Sequence, residues 1–161
     1  MPKASSDTRA VWLSPLGPLV LTARRGQLVA AAFGEMPESP ASDPVLARAI
    51  QEFQEYFAGV RRHFSFPLQP CGTPFQERVW QELATIPYGT VCTYGEIARR
   101  IGSPGAARAV GMACRANPIV IAIACHRVVG TGGLTGYAAG IGRKRALLML
   151  ESGRREMITE A

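Results

Sequence analysis

The sequence predicts an α/β N-terminal domain, a small sheet plus a helix, in residues 1–70, and a mostly helical C-terminal domain with a helix-turn-helix in residues 71–161. Three observations lead to this fold class. Short apolar runs broken by glycine and proline occupy residues 10–33, which is typical of strands joined by tight turns. A segment with apolar residues at helical spacing follows them. Further along the chain, two short helical segments are separated by a glycine-containing turn.

Local signals justify the remaining elements of the first domain. A loop rich in proline, serine and glutamate occupies residues 34–44. Asp43 and Pro44 predict the start of a helix, because aspartate caps helices and proline is favoured at the first helical position. This helix should end near Gly59. The alternation of apolar and polar residues at 64–68 predicts one more strand.

The signals in the second domain are helical. Residues 73–86 predict a first helix. Thr93, with Glu96 three residues later, forms a capping box that predicts a short second helix. A turn separates it from a small-residue helix over residues 106–116, and the pair resembles a helix-turn-helix. A last helix is predicted over residues 143–151.

The small-residue helix is unusual for a protein that reads bases in the major groove. It carries Arg108 and Arg115 but no row of asparagine, glutamine or lysine side chains for base edges. Small residues allow a close approach, which suits a narrow groove and binding without sequence preference. Tight packing against a neighbouring helix would explain the same small residues equally well.

Charge is distributed unevenly along the chain. The formal net charge is +6, with 16 arginines and 2 lysines, and residues 71–161 account for +5 of it. A basic second half favours a polyanionic partner, nucleic acid before membrane, although an ordinary solvated basic surface has the same composition. The sequence shows neither a membrane-length apolar run nor an apolar signal core at its start. We therefore expect a reducing, cytoplasmic compartment in which a free thiol persists.

The most informative stretch is residues 121–129, in which an apolar run contains Cys125, His126 and Arg127. The run predicts a buried strand-like segment. Cysteine reacts as its thiolate and needs a base or a positive field, which the next two residues supply. A buried inert cysteine beside a surface histidine is the alternative. A zinc site is less favoured because the spacing is irregular, and it would use Cys71, Cys92, Cys114 and His63.

A glycine-rich segment with one tyrosine covers residues 130–142. It lacks the Gly-Lys-Ser/Thr ending and the GxGxxG order of phosphate-binding loops. A flexible wall that closes over a flat ligand is the better interpretation.

Together these motifs resemble those of the O6-alkylguanine-DNA alkyltransferases. Ala124-Cys-His-Arg-Val-Val129 is similar to the Pro-Cys-His-Arg-Val motif of the family's active site. The match is dense over residues 72–151 and looser over the first half of the chain. The other matching motifs, in the family's order and spacing, are Tyr94-Gly-Glu-Ile-Ala, Ala106-Ala-Arg-Ala-Val-Gly111, Asn117-Pro118, Gly136-Tyr137 and Lys144 through Glu151.

The resemblance implies a role for five catalytic residues. Cys125 attacks the alkyl carbon on guanine O6 and keeps the alkyl group as a thioether, so each molecule acts once. His126 is the base, acting through a water molecule, and Glu151 orients it. Asn117 holds the active-site turn by hydrogen bonds. Tyr94 protonates or hydrogen-bonds the departing guanine at N3.

The resemblance also implies how DNA is bound. The partner is double-stranded DNA carrying O6-alkylguanine, with O4-alkylthymine as a second candidate lesion, bound through the minor groove largely without sequence preference. The implied state is a monomer, with cooperative binding on DNA an open question. Arg108 fills the gap left by the flipped nucleotide, and Ala107 and Arg115 lie on the same DNA-binding helix. No metal or organic cofactor is implied. The implied substrate pocket consists of Val128, Tyr137, Ala138 and Ala139.

The residues leave two rival functions. A Cys-His hydrolase would need an oxyanion hole and a base that is usually distant in sequence. A non-catalytic DNA-binding regulator or lesion-recognition protein would use the helix-turn-helix and take up no alkyl group. The chain also departs from the family motif at Ala124, where the family has proline. This change removes a constraint on the backbone that carries the cysteine.

Overall fold

The computed structural model describes residues 7–133, 137 and 139–153. The chain divides into two compact units, Met1–Cys71 and Gly72–Ala161. In its described residues the first unit combines a small antiparallel sheet with a helix, and the second is mainly helical. The predicted fold class is therefore confirmed. None of the helices among these residues has both the length and the apolar character of a membrane span.

The sheet of the first unit is an antiparallel meander in which each strand pairs with the next. The second hairpin closes through Arg25 and Gly26, whose φ angles are 52° and 76°. Two consecutive positive φ angles give the tight turn that matches the twist of paired strands. The strands are β1 (Thr8–Ser14), β2 (Gly17–Arg24) and β3 (Gln27–Phe33).

Helix α1 (Pro44–Phe57) packs on this sheet. It starts as predicted, because the Asp43 side chain accepts a hydrogen bond from the Val45 N–H at 2.9 Å and Pro44 is the first helical residue. One face of the helix and one face of the sheet share an apolar core. Its fully buried side chains include Leu19, Leu21, Leu28, Leu46, Phe53 and Tyr56.

Residues 64–68 do not form the predicted strand. Only Leu68 pairs, through an isolated parallel bridge to Leu28. The two phenylalanine rings of the segment pack near the ring of Phe53 instead, with centroid distances of 5.1 and 5.7 Å. The apolar alternation therefore reflects aromatic packing against the helix and not a strand ladder.

The first two helices of the second unit begin at capping boxes. Thr73 accepts a hydrogen bond from the Gln76 N–H, and the Gln76 side chain accepts one from the Thr73 N–H. Thr93 and Glu96 make the same reciprocal pair, as predicted. The helices are α2 (Pro74–Leu83), α3 (Tyr94–Arg100), α4 (Ala107–Arg115) and α5 (Ile141–Glu151). Two short strands, β4 (Cys92–Thr93) and β5 (Val128–Val129), pair in parallel.

Helices α3 and α4 pack together across a short turn and form the predicted helix-turn-helix. Gly102 adopts a φ of 80° in that turn, which glycine reaches without steric penalty. Helix α2 supports the pair through Trp80, whose indole N–H donates to the Ala113 carbonyl at 2.9 Å. The side chains that α4 buries are Val110, Ala113 and Cys114.

The apolar segment before the cysteine is not the expected strand. Ile121 has a φ of 73°, and the chain turns back so that Val120 bridges Ile123. A short buried apolar run cannot be assigned to a strand by hydrophobicity alone, and here the run is apolar because a turn is buried.

Candidate active site

Cys125 begins a 3-10 turn that follows this curled segment. The amide of Asn117 holds the segment at both ends, donating to the Ile123 carbonyl at 2.8 Å and accepting from the Ile119 N–H at 2.9 Å. Cys125 is only 1% exposed. The turn therefore presents the thiol inside the protein and not at its surface.

Glu151, the last residue of α5, is the centre of a buried hydrogen-bond network. Its Oε2 lies 2.7 Å from Nε2 of His126. Arg127 donates from Nε to Oε1 at 2.8 Å and from Nη2 to Oε2 at 3.0 Å. The N–H of Gly89 donates to Oε1 at 3.2 Å. A carboxylate at a helix C-terminus opposes the helix dipole, so these donors are what stabilise it there.

Burial and these donors decide the protonation states. Burial alone raises the pKa of Glu151, but the hydrogen bonds and charges of His126 and Arg127 outweigh it and hold that pKa well below its ordinary value. An ionised carboxylate can only accept, so Nε2 of His126 carries the proton and Nδ1 carries a lone pair. Burial lowers the pKa of His126 against the opposing effect of Glu151, so the imidazole is neutral at neutral pH. Nδ1 is buried and has no hydrogen-bond partner among the described residues.

The thiol of Cys125 is protonated in the resting site. Burial raises its pKa well above the ordinary value, and the neighbouring thiol of Cys114 adds to the rise. A hydrogen bond with Asn117 and the charge of Lys144 act in the opposite direction without cancelling it. The thiol therefore needs a base before it can react, and His126 has the lone pair for that task.

Arg127 does not supply the positive field expected from the sequence. Its guanidinium is engaged by Glu151, donates from Nη1 to the Ile86 carbonyl at 2.9 Å, and lies 5.6 Å from the ring centroid of Tyr88. The cation whose charge lowers the pKa of the cysteine is Lys144. Consecutive residues of a 3-10 turn point in different directions, so adjacency in sequence did not mean adjacency in space.

Lys144 is a candidate functional residue that the sequence analysis missed. It was named there only as the first residue of a matching motif and was given no role. Its side chain is completely buried in the first half of α5. Nζ lies 3.5 Å from Oη of Tyr94 and 5.7 Å from the centre of its ring. A signal existed, since the chain has 2 lysines against 16 arginines and lysine is almost never fully buried unless paired.

The residues expected in the substrate pocket are partly described. Val128 is completely buried, while Tyr137 and Ala139 are partly exposed. The hydroxyl of Tyr137 is buried and meets no hydrogen-bond partner in the described part of the chain. Burial, with the nearby Cys125, raises the pKa of Tyr137, so this hydroxyl stays protonated. Ala138 lies outside the described residues.

Helix α4 carries the residues expected to contact DNA on its exposed side, while its buried Cys114 neighbours Cys125. Arg108 and Arg115 are exposed, and Ala107 is partly exposed. Ala109 also lies on the exposed side, so packing against a neighbouring helix explains only some of the small residues. A Cβ atom added at Gly111 would lie 3.8 Å from the nearest atom of the Tyr94 ring, which is ordinary contact.

No metal-ligand cluster supports the zinc alternative. Among the described residues, no group of three histidine, cysteine, aspartate or glutamate side chains is placed to hold an ion. The four cysteines are free thiols, and only Cys71 is exposed.

Comparison with known proteins finds two domains of a single family along the chain. Residues 74–153 match the domain described as "6-O-methylguanine DNA methyltransferase, DNA binding domain". Residues 9–70 match the domain described as "6-O-methylguanine DNA methyltransferase, ribonuclease-like domain". The two matches follow one another and together span most of the chain.

Individual relatives agree with these matches. A methylated-DNA--protein-cysteine methyltransferase of Mycobacterium leprae is 47% identical over 149 residues, covering 86% of this chain and 88% of the relative. The protein of the same name from Mycobacterium bovis is 49% identical over 148 residues, covering 88% and 90%. The crystal structure of Mycobacterium tuberculosis OGT in complex with DNA matches with a TM-score of 0.85 and 43% identity, covering 93% of this chain and 98% of that chain. The chain therefore belongs to the O6-alkylguanine-DNA alkyltransferases, the family of methylated-DNA–protein-cysteine methyltransferases.

Proposed function

We propose that the protein repairs DNA by transferring the alkyl group of O6-alkylguanine to Sγ of Cys125 in one irreversible turnover. The observation that carries the proposal is the buried series Glu151, His126 and Cys125, in which a neutral imidazole accompanies a protonated thiol. An inert cysteine would not explain a buried base whose second nitrogen lacks a partner among the described residues. Membership of the family, with its DNA-binding domain, supports DNA as the substrate.

The chemistry begins with removal of the thiol proton. Nδ1 of His126 accepts it through a water molecule, and the Glu151 carboxylate, 2.7 Å from Nε2, stabilises the resulting imidazolium. The Cys125 thiolate then forms a bond to the alkyl carbon while the bond from that carbon to guanine O6 breaks. The electron pair of the broken bond stays on the guanine. Because water does not cleave the thioether product, the protein acts only once.

The leaving guanine needs its own stabilisation. We assign this role to the hydroxyl of Tyr94, which gives a hydrogen bond or a proton to guanine N3 and so lowers the energy of the departing anion. Asn117 keeps the turn that carries the sulfur in place through its two backbone hydrogen bonds. The base pocket consists of Val128, Tyr137, Ala138 and Ala139.

DNA binding is assigned to the outer face of α4, with Ala107, Arg108 and Arg115 in the minor groove. The buried position of Cys125 requires that the damaged nucleotide leave the duplex before it can react. Arg108 then fills the gap in the base stack, and Arg115 contacts the phosphate backbone. Arginine contacts to phosphate make the binding salt-dependent and largely independent of sequence.

The two units divide the work in this proposal. The first unit is structural, and the second carries DNA binding and chemistry. The protein acts as a monomer on DNA. Since the acceptor must be a free thiol, the reaction belongs in a reducing compartment that contains DNA, the cytoplasm.

Weighing the intact protein before and after reaction with a duplex that contains O6-methylguanine tests the proposal. We expect one methyl group per molecule, mapped to Cys125, and a parallel duplex with O4-methylthymine tests the wider substrate range. Cys125→Ala should bind the same duplex and gain no mass, whereas Cys71→Ala, at an exposed thiol of the first unit, should react as wild type. Methyl uptake by Cys125→Ala at another cysteine would contradict the assignment. Unchanged wild-type mass with tight, sequence-specific binding would indicate a non-catalytic regulator.

A further inference from the structure

The outer face of α4 carries one large apolar side chain, Met112, that has no part in the proposed mechanism. Met112 is 66% exposed, a larger fraction than for any other large apolar side chain described in the second unit. Single apolar residues are normal on protein surfaces and need no explanation by themselves. The position of Met112 on the helix is what makes its exposure informative.

Helical spacing places Met112 at the centre of the face assigned to DNA. Residues three and four apart are neighbours on a helix surface. Arg108 and Ala109 precede the methionine by four and three positions. Arg115 and Ala116 follow it by three and four positions, and all four of these neighbours are exposed. Any surface that covers both arginines of this face must therefore also cover Met112.

The dimensions of DNA give such a side chain a task. The minor groove of B-DNA is about 6 Å wide, while a helix with its side chains is about 10–12 Å across. A helix that enters this groove must widen it, and widening separates neighbouring base pairs. Minor-groove proteins frequently offset this cost with an apolar side chain, methionine among them, that inserts between two base pairs. The thioether of methionine is flexible and polarizable, so it adapts to such an irregular apolar space.

We propose that Met112 is an apolar wedge: its side chain enters the minor groove beside Arg108 and packs against the base pairs next to the flipped nucleotide. This inference rests on the proposed function, which assigns the outer face of α4 to the minor groove. Four residues span about 6 Å along a helix axis, and one base-pair step is about 3.4 Å. With Arg108 in the vacated position, Met112 therefore lies at most about two base-pair steps away. The wedge stabilises the widened, unstacked duplex while Cys125 reacts.

A second copy of the protein is the alternative occupant of this face. In a symmetric dimer the face would meet itself, so Arg108 and Arg115 of the two copies would bring like charges together. Residues 71–161 carry a net charge of +5, which adds to this repulsion. DNA instead offers phosphates to the arginines and apolar base surfaces to Met112. Its chemistry therefore fits the whole face.

The first experiment measures binding to a duplex that contains O6-methylguanine, in the Cys125→Ala background so that no transfer occurs. We expect Met112→Ala to weaken binding by about five- to tenfold at every salt concentration, because the change removes apolar contact and no charge. Arg115→Ala should instead reduce the slope of log K against log salt by about 0.9. Met36→Ala, at an exposed methionine of the first unit, is the matched control and should bind as the parent protein does.

The second experiment distinguishes a wedge from simple surface contact. The probe is 2-aminopurine, an adenine analogue whose fluorescence rises when it unstacks, placed next to the lesion or one base pair further away. Binding of the parent protein should raise the fluorescence, and Met112→Ala should give less than about half of that rise at saturating protein. Met112→Leu keeps a long apolar side chain and should give most of it.

Transfer rates connect the wedge to repair. With Cys125 intact and protein limiting, Met112→Ala should slow transfer from the paired lesion by about five- to tenfold and change the reaction with free O6-methylguanine by less than about twofold. The free base needs no groove, so its reaction reports only on the active site. Because Met112 is exposed and alanine is a strong helix former, the variant should fold, which its melting temperature checks.

Four results would overturn the inference: unchanged binding by Met112→Ala, a changed salt slope in that variant, an unaltered fluorescence rise, or equal slowing with duplex and free base. A wild-type protein that is dimeric without DNA, and monomeric after Met112→Ala, would assign the face to a second copy and also overturn it. Met112→Gln keeps the length but not the apolar end; it should bind as weakly as the alanine variant and serves if that variant unfolds. Unfolding of both would give Met112 a structural role and reject the inference. A wild-type protein that takes no methyl group from the duplex would instead reject the proposed function, while the binding and fluorescence measurements still test the wedge.

Discussion

The two units each bury a glutamate side chain, and their surroundings differ. Glu52, on α1, is 4% exposed and accepts hydrogen bonds from the Ser65 N–H at 2.7 Å and the Ser65 hydroxyl at 2.6 Å. Burial raises its pKa, but these donors, with Arg61 and Arg48, outweigh burial and lower it. These contacts join α1 to the segment that follows it, because Glu52 and Arg48 lie on the helix and Arg61 and Ser65 lie after it. The Glu52 carboxylate is satisfied by these partners, which is consistent with a structural role.

Hydrogen bonds and positive charge likewise lower the pKa of Glu151. One of its partners, His126, differs from the partners of Glu52 because one of its two ring nitrogens makes no hydrogen bond to the described residues. His126 is fully buried, and in the described part of the chain its Nδ1 has no partner. A buried carboxylate with a shifted pKa is therefore not a sufficient sign of an active site, because structural networks shift pKa values too. The distinguishing feature is an unfilled hydrogen-bonding position on a buried partner, next to a group that can react.

Neutralising each glutamate in turn tests this comparison, and Glu151→Gln should show the largest effect. We expect its methyl-transfer rate to fall by about 10²-fold or more, because an amide stabilises the imidazolium of His126 poorly. Glu52→Gln should transfer at the wild-type rate. Both variants should be less stable, by about 3–5 kcal/mol at Glu151, where the buried Arg127 loses its ion pair, and by about 1–3 kcal/mol at Glu52.

The measurements are single-turnover rates by mass and free energies of unfolding by denaturant, with the rates taken where both variants are folded. Equal loss of rate in the two variants would remove the distinction between the glutamates. An unaffected rate in Glu151→Gln would exclude that carboxylate from the mechanism.

A smaller effect is expected from removing positive charge in each unit. Arg108→Ala on α4 should slow repair of a paired lesion by about tenfold, because the cost of flipping a nucleotide is then not offset. Repair of the same lesion in single-stranded DNA, and reaction with the free base, should change much less. Arg9→Ala, at an exposed arginine of the first unit, removes one charge and should leave all three rates unchanged. Equal losses of Arg108→Ala on all three substrates would contradict the flipping role.

The pH dependence of transfer separates the base from the structural carboxylate. Burial lowers the pKa of His126 from its ordinary 6.5, so the histidine stays neutral and able to accept a proton as the pH falls through that value. The rate should therefore stay level through pH 6.5 and fall only at more acidic pH, once the histidine is protonated. A rate that already halves near pH 6.5 would contradict this expectation.

Stability should be followed over the same pH range as a control for the rate measurement. The pKa of Glu52 is lower in the folded protein, so its contribution is complete above the unfolded pKa and is lost as the pH falls through the folded value. Glu52 therefore reduces stability only at more acidic pH than the ordinary glutamate pKa of 4.5. The lowered pKa of His126 acts earlier, because the unfolded histidine takes up a proton as the pH falls through its ordinary value of 6.5 while the folded one does not. Rates are therefore compared only at pH values where the unfolding measurement shows the protein to be folded, so that a loss of rate there reflects protonation of His126.

The smallest effect is expected at the position that departs from the family motif. Ala124 is a buried residue with a φ of −79°, which proline can adopt, and its N–H donates no hydrogen bond within the described residues. Ala124→Pro should therefore raise the free energy of unfolding by about 0.4–1 kcal/mol and leave the transfer rate equal or modestly faster. Ala122→Pro is the matched control, because the Ala122 N–H donates to Val120 at 2.8 Å and its loss should destabilise the turn. The prediction is tested by the melting temperatures and transfer rates of both variants. A clear loss of stability in Ala124→Pro would mean that the N–H of Ala124 has a hydrogen-bond partner in the native protein.

The structural features that could be predicted from the sequence are those formed by residues close to one another along the chain. Asp43 and the pair Thr93 and Glu96 predicted helix starts, and the structure confirms them. These starts were predictable because both partners of each capping hydrogen bond lie within one helical turn. The helix-turn-helix followed from two such short segments and the turn between them. The choice of Cys125 as the candidate reactive thiol was also possible from the sequence, since it depended on the adjacent His126.

The network around the thiol depended on tertiary structure. Tyr94 and Lys144 are 50 residues apart in sequence, and Gly89 is 62 residues from the glutamate that accepts its N–H. The strand expected before the cysteine was wrong because Ile121 takes a left-handed conformation inside a buried turn. Apolar periodicity reports that a segment is buried, but it does not report which distant segment packs against it. The partners of a buried polar side chain are therefore decided only when the core brings its helices and turns together.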